Sequence, residues 1–301
     1  MASARRPLNE EAGEDDASPG VTVYEGLIEA SATIALDDTH FTVASDEINV
    51  LSIYRVGILQ PVASLDLKPF LGEDGCDIEA GARIGDRIYW ITSHSKPQGG
   101  GNARKRSVFF ATRLDTSGDV PVLLPEHQPF FALRGPLKDS IGSAGSSIDI
   151  EGLASTSDGN LLIGFRGPLE AGRAILVPLR NPADVIEQAA EPDFGPRLTL
   201  DLGGRGIRSI DATGIPSPAY LILAGPMNDT KGDFALYEWD GVATEPRQRQ
   251  DIPLQGLTPE AVVIQAVQRT ALILSDDGTK KRNDADTPAH ERRFRSIEIT
   301  F

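Results

Sequence analysis

The sequence predicts an all-β protein: a single β-propeller of five four-stranded blades, with one long interval that leaves room for a sixth. Three observations carry this reading. First, an acid followed by small residues recurs five times, in IEASA (28–32), DIEAGA (77–82), DIEGLA (149–154), SIDATG (209–214) and TPEAVV (258–263). Second, the aligned acids Glu29, Glu79, Glu151, Asp211 and Glu260 stand 49 to 72 residues apart. That spacing suits a four-stranded blade with variable loops, against the ~40–45 residues of the most compact propeller repeats. Third, the last repeat ends at Phe301 one strand short, while a spare β-rich segment, VTVYEGL (21–27), precedes the first. A ring closed by its N-terminal strand requires this arrangement.

Each repeat supplies its elements in the same order. After the acid comes a second run: HFTVAS, RIYWITS, NLLIGF, AYLILAG or TALILS. Asp158-Gly159 before the third of these is a hairpin signal. Third runs follow as VLSIYRV, SVFFATRL, RAILVPL, FALYEW and FRSIEITF, and weaker fourth runs as PVASLDL (61–67), PFFALRG (129–135), RLTLDL (197–202) and RQDIPL (249–254). Many runs are apolar without alternation, as expected of strands buried on both faces. The amphipathic helices that a doubly wound α/β fold needs between its strands are missing. One helix is predicted, from Pro182 to Ala190 in a loop of the third blade, with Asn181 as its cap and Pro182 in its first turn.

Composition bounds the rest. The 30 glycines and 21 prolines fit a turn-rich chain, and no apolar run approaches the ~20 residues of a membrane span. Residues 1–20 hold five acids and two arginines without an apolar stretch, which reads as a disordered acidic tail before a propeller over 21–301. A cytoplasmic monomer is expected. The single cysteine, Cys76, excludes an internal disulfide and zinc sites of the Cys₄ or Cys₂His₂ kind. A formal charge of −15 disfavours nucleic acid and anionic membranes as partners.

The predicted topology places the start of each innermost strand beside the end of its second strand, so the repeat acids gather at one mouth of the channel. Carboxylates that close raise each other's pKa or attract a cation, and oxygen ligands suit Ca²⁺ or Mg²⁺. The structural alternative is that each acid accepts backbone N–H bonds from the neighbouring blade. His94, in TSHSK (92–96), is a candidate general acid or base, or an anion ligand. Arg166 either binds an anionic substrate or neutralises Glu151, and Arg208 has the same two options. The glycine-rich basic loop 93–106 reads as a lid, a phosphate contact or a plain surface loop, and the charged loop 279–293 as a solvated one. Gly-x-Ser-x-Gly and His-Glu-x-x-His are absent.

The motifs DIEAGARIGDRIYWITSHS (77–95) and DIEGLASTSDGNLLIGFRGP (149–168) resemble the signatures of a bacterial family, domain of unknown function 3616. The resemblance implies a β-propeller and no particular activity. More loosely, the Asp-x-Glu-Gly start is similar to that of esterase-like phytase and lactonase-type propellers, which use mouth carboxylates around a divalent cation. On that likeness Glu151 and Glu79 become the first metal-ligand candidates. The leading expectation is a hydrolase of phosphate or carboxylic esters, with Ca²⁺ or Mg²⁺ on Glu79, Glu151, Asp211 and Glu260, and with His94, Arg166 and Glu151 serving catalysis. The rival is a non-catalytic propeller whose acidic mouth binds a small cationic ligand or a basic peptide.

Overall fold

Strands that are apolar on both sides must be covered twice, and the chain achieves this by stacking its sheets around an axis. The computed structural model describes residues 20–45, 48–72, 75–96, 104–142, 147–227, 232–275 and 292–301. The expected acidic tail lies outside the described residues apart from Gly20, as does most of the charged 279–293 loop.

After β1 (Val21–Glu25), the first blade runs β2 (Ala30–Ala35), β3 (His40–Ser45), β4 (Val50–Arg55) and β5 (Ala63–Asp66), and α1 (Lys68–Leu71) follows. The second blade is β6 (Ile78–Ile84), β7 (Arg87–Thr92), β8 (Phe109–Asp115) and β9 (Val122–Phe130), with α2 (Arg134–Ile141) after it. The third comprises β10 (Asp149–Ser155), β11 (Leu161–Gly167), β12 (Ala174–Leu179) and β13 (Leu198–Leu200), with α3 (Pro182–Gln188) between its last two strands. The fourth is β14 (Gly206–Ala212), β15 (Tyr220–Gly225), β16 (Ala235–Trp239) and β17 (Arg247–Arg249). The fifth joins β18 (Pro259–Gln265), β19 (Thr270–Ser275) and β20 (Arg293–Thr300) to β1 as its outermost strand.

The five-bladed ring and its N-terminal closure are therefore as the sequence predicts. Around the junction, Tyr24 packs on Phe41, Tyr54 and Phe294 with ring centroids 5.1 to 5.5 Å apart, and the Tyr54 hydroxyl donates to the Glu25 carbonyl at 2.8 Å. Between blades lie continuous apolar layers, such as Ile34, Trp90 and Phe110 between the first and second.

Three sequence expectations need correction. The long interval between Glu79 and Glu151 holds no sixth blade, because the nine-residue β9 and the helix α2 fill it. Two fourth strands are shifted from the expected runs: β9 ends at Phe130, inside PFFALRG, whose remainder leads into α2, and β17 shares only Arg249 with RQDIPL. Asn181 does not cap α3 with its side chain. It donates instead to the Glu191 carbonyl and accepts from the Asp193 N–H, at 2.9 and 2.8 Å, which closes the loop behind the helix. No described helix is long and apolar enough to cross a membrane.

Candidate functional site

Every innermost strand carries one extra residue near its start, a bulge against the end of its second strand. The register steps from Ala30↔Ser45 to Ala32↔Ala44, from Ile78↔Thr92 to Ala80↔Ile91, and from Ile150↔Phe165 to Gly152↔Gly164. It does the same from Ile207↔Ala224 to Ser209↔Leu223 and from Pro259↔Ser275 to Ala261↔Leu274. Bulges re-aim the extra side chain, and here they define the true repeat position. The residues that occupy it are Ser31, Glu79, Glu151, Arg208 and Glu260.

The sequence alignment is thus in phase at three blades and out of phase at two. Glu29 stands two residues before its bulge and corresponds to Asp77 and Asp149, and both Glu29 and Asp77 adopt left-handed backbone, with φ of 55° and 64°. Asp211 lies three residues past its bulge, where the other blades carry Ile34, Ala82, Ala154 and Val263. It is a clasp between blades. Its carboxylate accepts the Ile264 N–H of the fifth blade at 3.2 Å and the Ala212 N–H at 2.8 Å, while the Ser209 hydroxyl oxygen accepts the Val262 N–H at 3.2 Å. Although part of its surface stays open, the surrounding protein pushes the Asp211 carboxyl up to about 7.

At the bulge positions the charges form a chain across three blades. Arg208, almost wholly buried, donates to both oxygens of Glu260 at 2.7 Å and lies 3.2 Å from Glu151. Burial works against its charge, but Glu151 and Glu260 together hold the guanidinium firmly protonated. Its plane sits 5.7 Å from the centre of the Phe234 ring. Arg166 continues the chain, with Nη1 2.7 Å from Glu151 and Nε 2.8 Å from Asp149. Arg166 therefore neutralises Glu151, one of its two predicted roles. In the second blade Arg106 pairs with Asp77 at 3.0 Å and donates to the Ser95 hydroxyl at 3.1 Å. Burial raises the Asp77 carboxyl, an effect opposed by the Ser93 hydroxyl and by Arg106 and Arg166.

His94 is neither solvated nor set in an open mouth. It is fully buried, with left-handed backbone (φ 53°), and burial lowers its pKa to about 4. Its Nδ1–H donates to the Thr92 carbonyl at 2.8 Å, so Nε2 is the bare acceptor, and Nε2 has no partner among the described residues. Arg134, the first residue of α2, donates through Nε to the His94 carbonyl at 2.9 Å.

A divalent cation on Glu79, Glu151, Asp211 and Glu260 does not fit this arrangement. Glu151 and Glu260 already flank Arg208, Asp211 turns into a blade interface, and among the described residues no three His, Cys, Asp or Glu side chains form a metal-ligand group. The sequence left Arg208 between anion ligand and counter-charge, of which the structure shows the counter-charge, and gave no role to Asp77, Asp149, Arg106 and Arg134. Their signal was available in the recurring Asp-Ile-Glu of the second and third blades, which aligns with Glu29-Ala30-Ser31 and Gly206-Ile207-Arg208.

A family model described as a protein of unknown function (DUF3616) matches residues 127–271, and over those residues the resemblance read from the motifs is borne out. No curated protein matches the chain. Among solved structures, the Myxococcus xanthus glutaminyl cyclase is similar over 93% of this chain and 95% of its own, at 11% identity and a TM-score of 0.51. A PQQ-bound aldose sugar dehydrogenase from Streptomyces coelicolor aligns over 94% and 100% of the two chains, at 12% identity and a TM-score of 0.45. At 11% identity the likeness to the glutaminyl cyclase speaks to the fold alone.

Proposed function

We propose that this five-bladed propeller, with its DUF3616 match over residues 127–271, is a ligand-binding protein whose site is the bulge-lined mouth of its channel. Its ligand carries positive charge. One observation supports the reading above others: the balance of charge at that mouth. Glu29, Asp77, Glu79, Asp149, Glu151 and Glu260 occupy six of the ten positions two before and at the five bulges, and Arg208 occupies one. Arg106 and Arg166 bring the cations of this group to three. A concave mouth lined by an excess of one sign concentrates the opposite sign. The ester hydrolase with a divalent cation would require Arg208 and Arg166 to release the acids they hold.

Thermal unfolding in the presence of graded ethanolamine, agmatine and spermidine tests this, with Ca²⁺ and Mg²⁺ in parallel. A ligand bound only by the folded protein must raise its Tm. At least one organic cation is expected to raise Tm, and the Glu79→Gln variant is expected to need several times more of it. If no organic cation has an effect, the proposal fails. If Ca²⁺ or Mg²⁺ alone stabilises the protein, and Glu151→Gln abolishes that effect, the metal-dependent hydrolase replaces it.

A further inference from the structure

Despite the net charge of −15, one sector of the rim, outside the acidic ring of bulges, is basic. Lys96, Arg104, Lys105 and Arg106 come from the loop before β8, and Arg134 and Lys138 from α2. Two contacts bring these segments together, the Arg134–His94 bond at 2.9 Å and Arg104 over the Phe131 ring at 4.7 Å, while Arg106 on Ser95 at 3.1 Å ties the first segment to itself. The basic sector meets the acidic one at the Arg106–Asp77 pair.

Inside this sector two buried polar atoms have no partner among the described residues: Nη2 of Arg134, a donor, and Nε2 of His94, an acceptor in the tautomer fixed by Thr92. They belong to residues that are bonded to each other. Buried polar groups are normally satisfied, so such a pair calls for a group that accepts from one atom and donates to the other. The first turn of α2 lies alongside. Leu133, its N-cap residue, makes no side-chain capping bond.

The geometry points to an oxyanion subsite at the rim of the second blade, formed by Arg134, His94 and the start of α2, for a phosphate monoester. A monoester in its singly protonated form offers oxygens to Arg134 and a hydroxyl to His94, whereas a carboxylate offers no hydroxyl. Resting on the cation-binding reading of the adjoining mouth, this narrows the ligand class to molecules with an ammonium or guanidinium group and a phosphate a few bonds apart. Burial strengthens charge-assisted bonds of this kind.

Calorimetric titration of the full chain with phosphoethanolamine, and separately with its two halves, ethanolamine and inorganic phosphate, tests the subsite. Phosphoethanolamine is expected to bind at least about tenfold more tightly than either half, and phosphate more tightly than acetate. Arg134→Gln should bring phosphoethanolamine down to the affinity of ethanolamine and leave ethanolamine unchanged. Because Arg134 also supports the His94 carbonyl, the exposed Arg104→Gln serves as a second variant, expected to weaken phosphoethanolamine about threefold without loss of Tm. Equal affinity of phosphoethanolamine and ethanolamine for the wild type, or of acetate and phosphate, would overturn the assignment. Phosphate binding that depends on Arg134, with no binding of ethanolamine, would uphold the subsite and refute the cationic mouth.

Discussion

Gly206 shows how a residue with no side chain can set a site. It occupies the position that Glu29, Asp77 and Asp149 hold in other blades, and a Cβ there would collide with the carbonyl of Arg166. The close approach presses the end of β11 against the start of β14, which brings Arg166 and Arg208 to opposite sides of Glu151. Gly206→Ala is therefore expected to destabilise the protein by about 2 kcal/mol, read from chemical denaturation, and to weaken whatever cation the mouth binds. A stability within about 0.5 kcal/mol of wild type would refute the contact's importance. At this scale the sequence is legible only in part. Glu79, Glu151 and Glu260 are in phase because an acid sits at each of their bulges. Glu29 and Asp211 mislead because a one-residue bulge leaves no mark in composition, and small residues flank either choice of acid. Arg208 is hard to place because its role as the buried centre between two carboxylates, Glu151 and Glu260, depends on tertiary contacts alone.

Among the elements, β1 carries the most consequence for its length. Five residues close the ring, and their one fully buried side chain, Tyr24, enters a cluster of four aromatic rings drawn from β1, β3, β4 and β20. Removing that ring leaves a cavity at a seam that the chain cannot repair from elsewhere. Tyr24→Ala is expected to cost about 3 to 5 kcal/mol and to lower Tm by on the order of ten degrees in a calorimetric scan. Tyr24→Phe should cost far less, because it keeps the ring and gives up only the hydroxyl's bond to the Gly57 backbone, while the Tyr54 bond to the Glu25 carbonyl stays. Elements were far more legible than residues. Strand identity follows from runs of apolar residues that need cover on both faces, and closure follows from counting one strand too few at one end and one too many at the other. The fourth strands were the least legible. They are outermost and partly exposed, so their pattern is weak, and in the second blade the apolar PFFALRG holds only the end of the strand before it leads into α2.

For the molecule as a whole, two groups, the buried His94 and the half-buried Asp211, tilt stability against pH in opposite directions. His94 has its pKa lowered from 6.5 to about 4, so between those values the unfolded chain holds a proton that the folded protein lacks, and stability rises with pH. Asp211 has its pKa raised from 3.8 to about 7, so the folded protein holds the extra proton across that range, and stability falls as pH rises. From about pH 4 to 6.5 the two slopes cancel in large part. Between 6.5 and 7 only Asp211 acts, and the protein loses stability there. Asp211→Asn, which keeps an acceptor for the Ile264 N–H, is expected to leave the His94 slope exposed, with Tm rising up to about pH 6.5 and then level. His94→Asn, which tolerates left-handed backbone, should leave the opposite slope, with Tm falling steadily toward pH 7. The double variant should lose both. Thermal scans at pH 4.5, 5.5, 6.5 and 7.5 on the four proteins check this through the shape of each curve, so a uniform loss of stability in a variant does not confuse the outcome. Four parallel curves would show that neither group titrates differently on folding, and that the polar clasp between the fourth and fifth blades is indifferent to charge.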